Sequence, residues 1–198
     1  MNNQLMSAIN YATERHVGQK RKYTGNPYTD HLHEVAGLAT AFGLTMHMLP
    51  AAYLHDVLED TIMEGETVVS VFDQIYINFG PDIASVVMTL SSIKKGSENR
   101  NARLEAYRKQ IMGANGYKRY VDIIKAADIY SNCSTMCTDD PKFFVTTYHQ
   151  ECSLMLECLT SLEDGVRIVV SEHLTKCLAK AQTTYLDTWL QSKEIFNV

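Results

Sequence analysis

The chain has 198 residues, 45% of them apolar and 21% charged, with a formal net charge of −5. This is the size and balance of one soluble domain, or of one domain with an appended helix. The acidic balance argues against nucleic acid as a partner, and no run approaches the roughly 18 apolar residues a membrane span needs.

Residues 3–17 place Leu5, Ile9, Ala12 and His16 on one helical stripe. Thr24-Gly25-Asn26-Pro27 marks a loop. A second helix is predicted over 30–42, with Leu32, Val35, Ala36, Ala39 and Phe42 inward and Gly43 at its end. A third runs over 48–60 and a fourth over 66–79, stopped by Gly80. Pro81-Asp82 opens a fifth that reaches Leu90, because proline fits the first helical turn. Residues 91–99 are a polar loop, followed by helices over 100–112 and 117–136. Asp139-Asp140-Pro141 breaks the chain and opens a helix to about 161. After an interruption near Gly165, a last helix ends near 192. No strand is expected. The fold class is therefore all-α, about 8–10 helices in a single domain over 1–198, with its core in 3–160 and a C-terminal helix over 163–192.

The third helix carries the chemistry. His55-Asp56-Val57-Leu58-Glu59-Asp60 follows the apolar Ala51-Ala52-Tyr53-Leu54. Ionisable groups on a buried helix require a partner, a metal or a catalytic task. On a continuous helix the pairs His55/Glu59 and Asp56/Asp60 each share one side. Two other places offer ligand-type groups: His31 at the start of the second helix, and Asp128 inside the apolar Ile124-Lys125-Ala126-Ala127 segment. Two imidazoles and two carboxylates form a mixed N/O set that suits Mn²⁺, Fe²⁺ or Zn²⁺ better than Ca²⁺.

The set H…HD…D is the signature of the HD-domain metal-dependent phosphohydrolases, which this chain resembles. A finer likeness rests on Arg21-Lys22, Pro27-Tyr28-Thr29-Asp30-His31, His55-Asp56-Val57-Leu58-Glu59-Asp60, Phe79-Gly80, Arg103-Leu104-Glu105-Ala106-Tyr107-Arg108, and Lys125-Ala126-Ala127-Asp128 with Asn132. These look like the hydrolase domain of RelA/SpoT proteins over residues 3–160. No synthetase domain follows, so the chain is similar to the stand-alone small alarmone hydrolases. The resemblance implies hydrolysis of the 3′-pyrophosphate of (p)ppGpp, or of its adenosine analogue (p)ppApp. It implies His31, His55, Asp56 and Asp128 as metal ligands, with Mn²⁺ the usual ion, and Glu59 and Asp60 as the catalytic carboxylates. It implies Arg21, Lys22, Lys94, Asn132 and Tyr148 as substrate contacts. Leu32 stands where the family commonly has proline, and the basic residue often found after the metal aspartate is missing at Ile129.

Two other readings stay open: an HD nucleotidase acting on dNMP or dNTP, and an alarmone-binding or antitoxin-like protein without turnover. Met1-Asn2-Asn3-Gln4 is not a secretory signal, and the five cysteines lack a C-x-x-C pair. The expectation is a cytoplasmic protein with reduced core thiols. His16, His33, His47, His149 and His173 match no motif and are expected at the surface or in satisfied core positions. Tyr185 and Trp189 are read as core or dimer packing, which leaves a homo-oligomer open.

Overall fold

A computed structural model describes residues 3–92 and 99–194, with 189–194 as backbone. The helices are α1 (Asn3–Arg15), α2 (Tyr28–Ala41), α3 (Leu49–Leu54), α4 (Val57–Asp60), α5 (Val68–Phe79), α6 (Pro81–Leu90), α7 (Arg100–Met112), α8 (Lys118–Asp139), α9 (Pro141–Phe143), α10 (His149–Cys158) and α11 (Asp164–Glu194). A π-helical turn, Phe144–Tyr148, joins α9 to α10. Among the described residues no strand forms, and the only extended pairing is an isolated bridge between Lys20 and Pro27. No described helix is long and apolar enough to cross a membrane.

The all-α expectation holds, with three local corrections. The helix predicted over 48–60 is broken: α3 ends at Leu54, His55 and Asp56 form a turn, and α4 starts at Val57. Successive residues on a continuous helix point about 100° apart. The turn instead brings His55 Nε2 to 3.0 Å from Asp56 Oδ2. Second, α8 continues past 136 to Asp139. Third, the helix predicted from 141 to 161 is interrupted by the π turn, although no glycine or proline lies within Phe144–Tyr148.

One hydrophobic cluster runs from Ala8 to Ala181, so α11 shares its core with the rest of the bundle. Alanines at 36, 39, 51, 52, 126 and 127 are all buried, and small side chains let α2, α3 and α8 approach closely. Around them Leu32, Leu54, Leu58, Ile75, Ile124 and Phe144 are fully enclosed. Truncating one of these to alanine typically costs about 2–5 kcal/mol. All five cysteines are buried free thiols, as expected. The start of α5 has a capping box between Thr67 and Ser70, worth about 1 kcal/mol.

Two polar clamps hold the parts that carry the site. Arg15 at the end of α1 bonds both Glu66 oxygens, at 2.8 and 2.7 Å, and the Thr61 carbonyl at 2.6 Å. This fastens the chain directly after α4. Asp122, fully buried on α8, pairs with Lys118 and accepts the Ser161 amide at 2.8 Å, which ties the end of α10 to α8.

Candidate metal centre and active site

His31 (α2), His55 and Asp56 (the α3–α4 turn) and Asp128 (α8) meet in the middle of the bundle. His31 Nε2 lies 3.3 Å from Asp128 Oδ1 and 3.6 Å from Asp56 Oδ2. His55 Nε2 lies 3.0 Å from Asp56 Oδ2 and 3.9 Å from Asp128 Oδ1. Ligand atoms of His31, His55 and Asp128 all fall within 4.8 Å of one another. Asp56 sits at the edge of this group, where its Oδ2 also accepts the Tyr28 hydroxyl at 2.6 Å.

The far side of each imidazole is tied to the surrounding helices. His55 Nδ1 donates to the Ala52 carbonyl at 2.8 Å, which requires the proton on Nδ1. His31 Nδ1 meets Ser131 Oγ at 2.9 Å. Both Nε2 atoms are buried without a hydrogen-bond partner. Two bare nitrogens facing two carboxylates are mutually repulsive until positive charge is supplied, by protons or by a cation. This donor set fits one divalent transition-metal ion.

The titration behaviour follows the same logic. Burial alone pushes the His55 imidazole down, but the Asp56 and Asp128 carboxylates carry it up to about 10. His31 is likewise raised against the effect of its burial. Burial pushes Asp56 up, and the positive imidazoles reverse this and hold it well below the carboxylate range. Asp128 is also held low against its burial, with Lys125 the largest contributor. Lys125 Nζ is 2.7 Å from Asp128 Oδ2, and Asn132 Nδ2 donates to Asp128 Oδ1 at 2.6 Å.

Glu59 borders a cleft of about 710 Å³ together with Ser92, Arg100, Arg103, Tyr107 and Lys125. Its Oε2 accepts the Ser92 amide at 3.0 Å. The carboxylate reaches solvent, yet the cleft walls desolvate it. That desolvation, with the charge of Asp56, raises its pKa to about 7 against the pull of Ser92 and Lys125. Asp60 adds only the smallest of these contributions. It faces the α1–α2 loop, 3.5 Å from Gln19 Nε2, and is itself raised by burial and Asp56.

A neighbouring cavity of about 790 Å³ brings together Arg21, Lys22, Asn132 and Tyr148, with Tyr23, Phe143 and Arg100 on the same wall. Arg100 and Tyr148 line both cavities. Arg21 is anchored on Thr135 Oγ1 at 2.9 Å, and Arg100 bonds Glu151 at 2.7 Å. Lys94 lies outside the described residues.

Sequence reasoning gave no place at the centre to several of its neighbours. His16 is buried, stacks on Tyr28 with ring centroids 4.7 Å apart, and also has an unpartnered Nε2. Its place on the apolar stripe of α1 was the available signal. Arg100, Arg103, Arg108 and Lys109 are close together in the sequence but divide in the fold: Arg100 and Arg103 face the cleft, while Lys109 pairs with Glu105. Nothing in the sequence marked Ser131. His33 points away from the centre, as expected, and meets Tyr53 Oη at 3.2 Å.

An all-α bundle with paired imidazoles and carboxylates at its centre defines a helical metal-site protein of the HD type. The chain belongs to the HD-domain family, whose model matches residues 8–138. It is 33% identical over 140 residues to a GTP pyrophosphokinase rsh of Brucella suis, covering 68% of this chain and 18% of that protein. It is 32% identical over 133 residues to a guanosine-3′,5′-bis(diphosphate) 3′-pyrophosphohydrolase of Aquifex aeolicus, covering 67% and 18%. The chain thus spans under a fifth of the length of these relatives. Among solved structures, a metazoan ortholog of SpoT that hydrolyses ppGpp superposes with a TM-score of 0.72 at 21% identity, covering 89% of this chain and 96% of the other.

Proposed function

We propose that this chain is a metal-dependent pyrophosphohydrolase that removes the 3′-pyrophosphate of a guanosine or adenosine alarmone, converting (p)ppGpp or (p)ppApp to the nucleoside di- or triphosphate. The observation that carries the reading is the pair of bare, buried Nε2 atoms facing Asp56 and Asp128, with Glu59 nearby at a pKa of about 7. The name of the Aquifex relative supports the substrate class.

His31, His55, Asp56 and Asp128 would hold the ion, Mn²⁺ in first place, with Zn²⁺ or Fe²⁺ compatible with the same donors. When bound, the ion supplies Lewis acidity and offsets charge on the pyrophosphate. Glu59 accepts a proton from the attacking water. A carboxylate titrating near neutrality suits that task better than one near its ordinary value. Arg21, Lys22, Arg100 and Arg103 line the two cavities and neutralise the substrate's remaining charge. Lys125 keeps Asp128 ionised. Asn132 fixes the orientation of Asp128 and, with Tyr148, faces the nucleotide. Asp60, turned toward Gln19, assists from an adjacent side of α4.

The test is product identification on the purified chain with Mn²⁺ and, separately, ppGpp, ppApp, dNTP and dNMP. Pyrophosphate release from an alarmone supports the proposal. Orthophosphate from dNMP, with no pyrophosphate from either alarmone, makes the chain a nucleotidase instead. Alarmone binding without product makes it a binding protein.

A further inference from the structure

Behind the metal centre, a side-chain relay reaches the surface. Ser131 Oγ donates to Glu34 Oε2 at 2.8 Å and lies 2.9 Å from His31 Nδ1. A serine hydroxyl carries one proton, and the carboxylate can only accept. With that proton committed to Glu34, Ser131 Oγ can only accept from His31. The proton of neutral His31 is therefore fixed on Nδ1, and the Nε2 lone pair is fixed toward Asp56 and Asp128. Ser131 is fully buried and His31 is 2% exposed, so water does not reach the His31–Ser131 contact in the intact chain. Glu34 sits one turn beyond His31 on the solvent side of α2.

We infer that Glu34 and Ser131 are a positioning pair that sets the tautomer and aim of His31, and with it the affinity of the centre for a divalent ion. This rests on the metal-centre reading above. The two imidazoles are held by unlike means. His55 is oriented by a backbone carbonyl, Ala52 O, which no substitution removes. His31 is oriented by two side chains, which substitution can remove. Without the Glu34 acceptor, the Ser131 hydroxyl is free to turn and donate to Nδ1. The ring proton then moves to Nε2, where it blocks coordination. Such outer partners typically contribute about 10–100-fold to metal affinity.

The experiment is calorimetric titration of the metal-stripped chain with Mn²⁺, alongside thermal melting of each metal-free variant. Ser131→Ala and Glu34→Ala are each expected to weaken binding about tenfold. Glu34→Gln keeps an acceptor for the serine proton and is expected to restore most of the loss, whereas Glu34→Met keeps the volume without an acceptor and is expected to bind as weakly as Glu34→Ala, which a purely packing role for Glu34 does not predict. Melting of the metal-free Glu34 variants is expected to match the native chain, since Glu34 is on the surface. His31→Ala calibrates the site. Native affinity in both alanine variants, with binding lost in His31→Ala, overturns the relay alone. Native affinity in His31→Ala overturns the metal-centre reading and the relay with it.

Discussion

Glu59 and Asp60 leave α4 in different directions. Glu59 accepts the Ser92 amide at 3.0 Å inside the arginine-lined cleft, while Asp60 lies 3.5 Å from the Gln19 amide nitrogen toward the α1–α2 loop. The two carboxylates therefore have separate tasks, and their removal is expected to have unequal effects. Glu59→Gln is expected to lower kcat at least about 100-fold, the usual contribution of a general base. Asp60→Asn is expected to cost less. Steady-state kinetics on both variants checks the order.

The pH profile follows from the Glu59 pKa of about 7. A base must be ionised, and a cation bound beside Asp56 pulls the Glu59 carboxylate down from its metal-free value, so kcat of the metal-loaded chain is expected to rise on the acid side of about pH 7 and then level off. In Glu59→Gln the residual rate is expected to lose that rise. A pH series with both proteins is the measurement.

The same group affects stability. Its folded pKa of about 7 lies above its ordinary value of 4.5, so the folded state holds the proton more tightly than the unfolded chain. The associated stabilisation is complete below about pH 4.5 and is lost as pH rises through about 7. The native metal-free chain is expected to lose melting temperature relative to Glu59→Gln between pH 5 and 8. A variant that tracks the native chain across that range would contradict the desolvation of Glu59 by the cleft walls.

Metal uptake is expected to release protons. The carboxylates hold His55 at about 10 against its burial, and His31 is raised as well, so protons and metal compete for the Nε2 atoms. Affinity is expected to rise with pH. Calorimetry at pH 7 in buffers of different ionisation enthalpy is expected to show net proton release.

Asp128 serves stability as well as the ion. It partners Lys125 and Asn132, so Asp128→Ala strands a lysine with little access to water. A cost of about 3 kcal/mol is expected in urea unfolding of the metal-free chain.

The helical spacing of apolar residues was enough to read the bundle, because each amphipathic face has to find a partner. It could not reveal the turn at His55-Asp56, since Leu54, Val57 and Leu58 on either side are buried as they would be in an unbroken helix. The ligand types at His31, His55, Asp56 and Asp128 were legible because ionisable groups stand out in apolar surroundings. Ser131 and His16 were not. A serine in a helix and a histidine on an apolar stripe acquire meaning only from what faces them across the bundle. The π turn that carries Tyr148 into both cavities has no residue signature at all.

The most direct measurement of the central claim is an anomalous-difference map from crystals grown with Mn²⁺. One peak bonded to His31 Nε2, His55 Nε2, Asp56 and Asp128, beside Glu59, is the expected result. Full incorporation of Mn²⁺ at some other place, with these four side chains bonded only to one another, would contradict it.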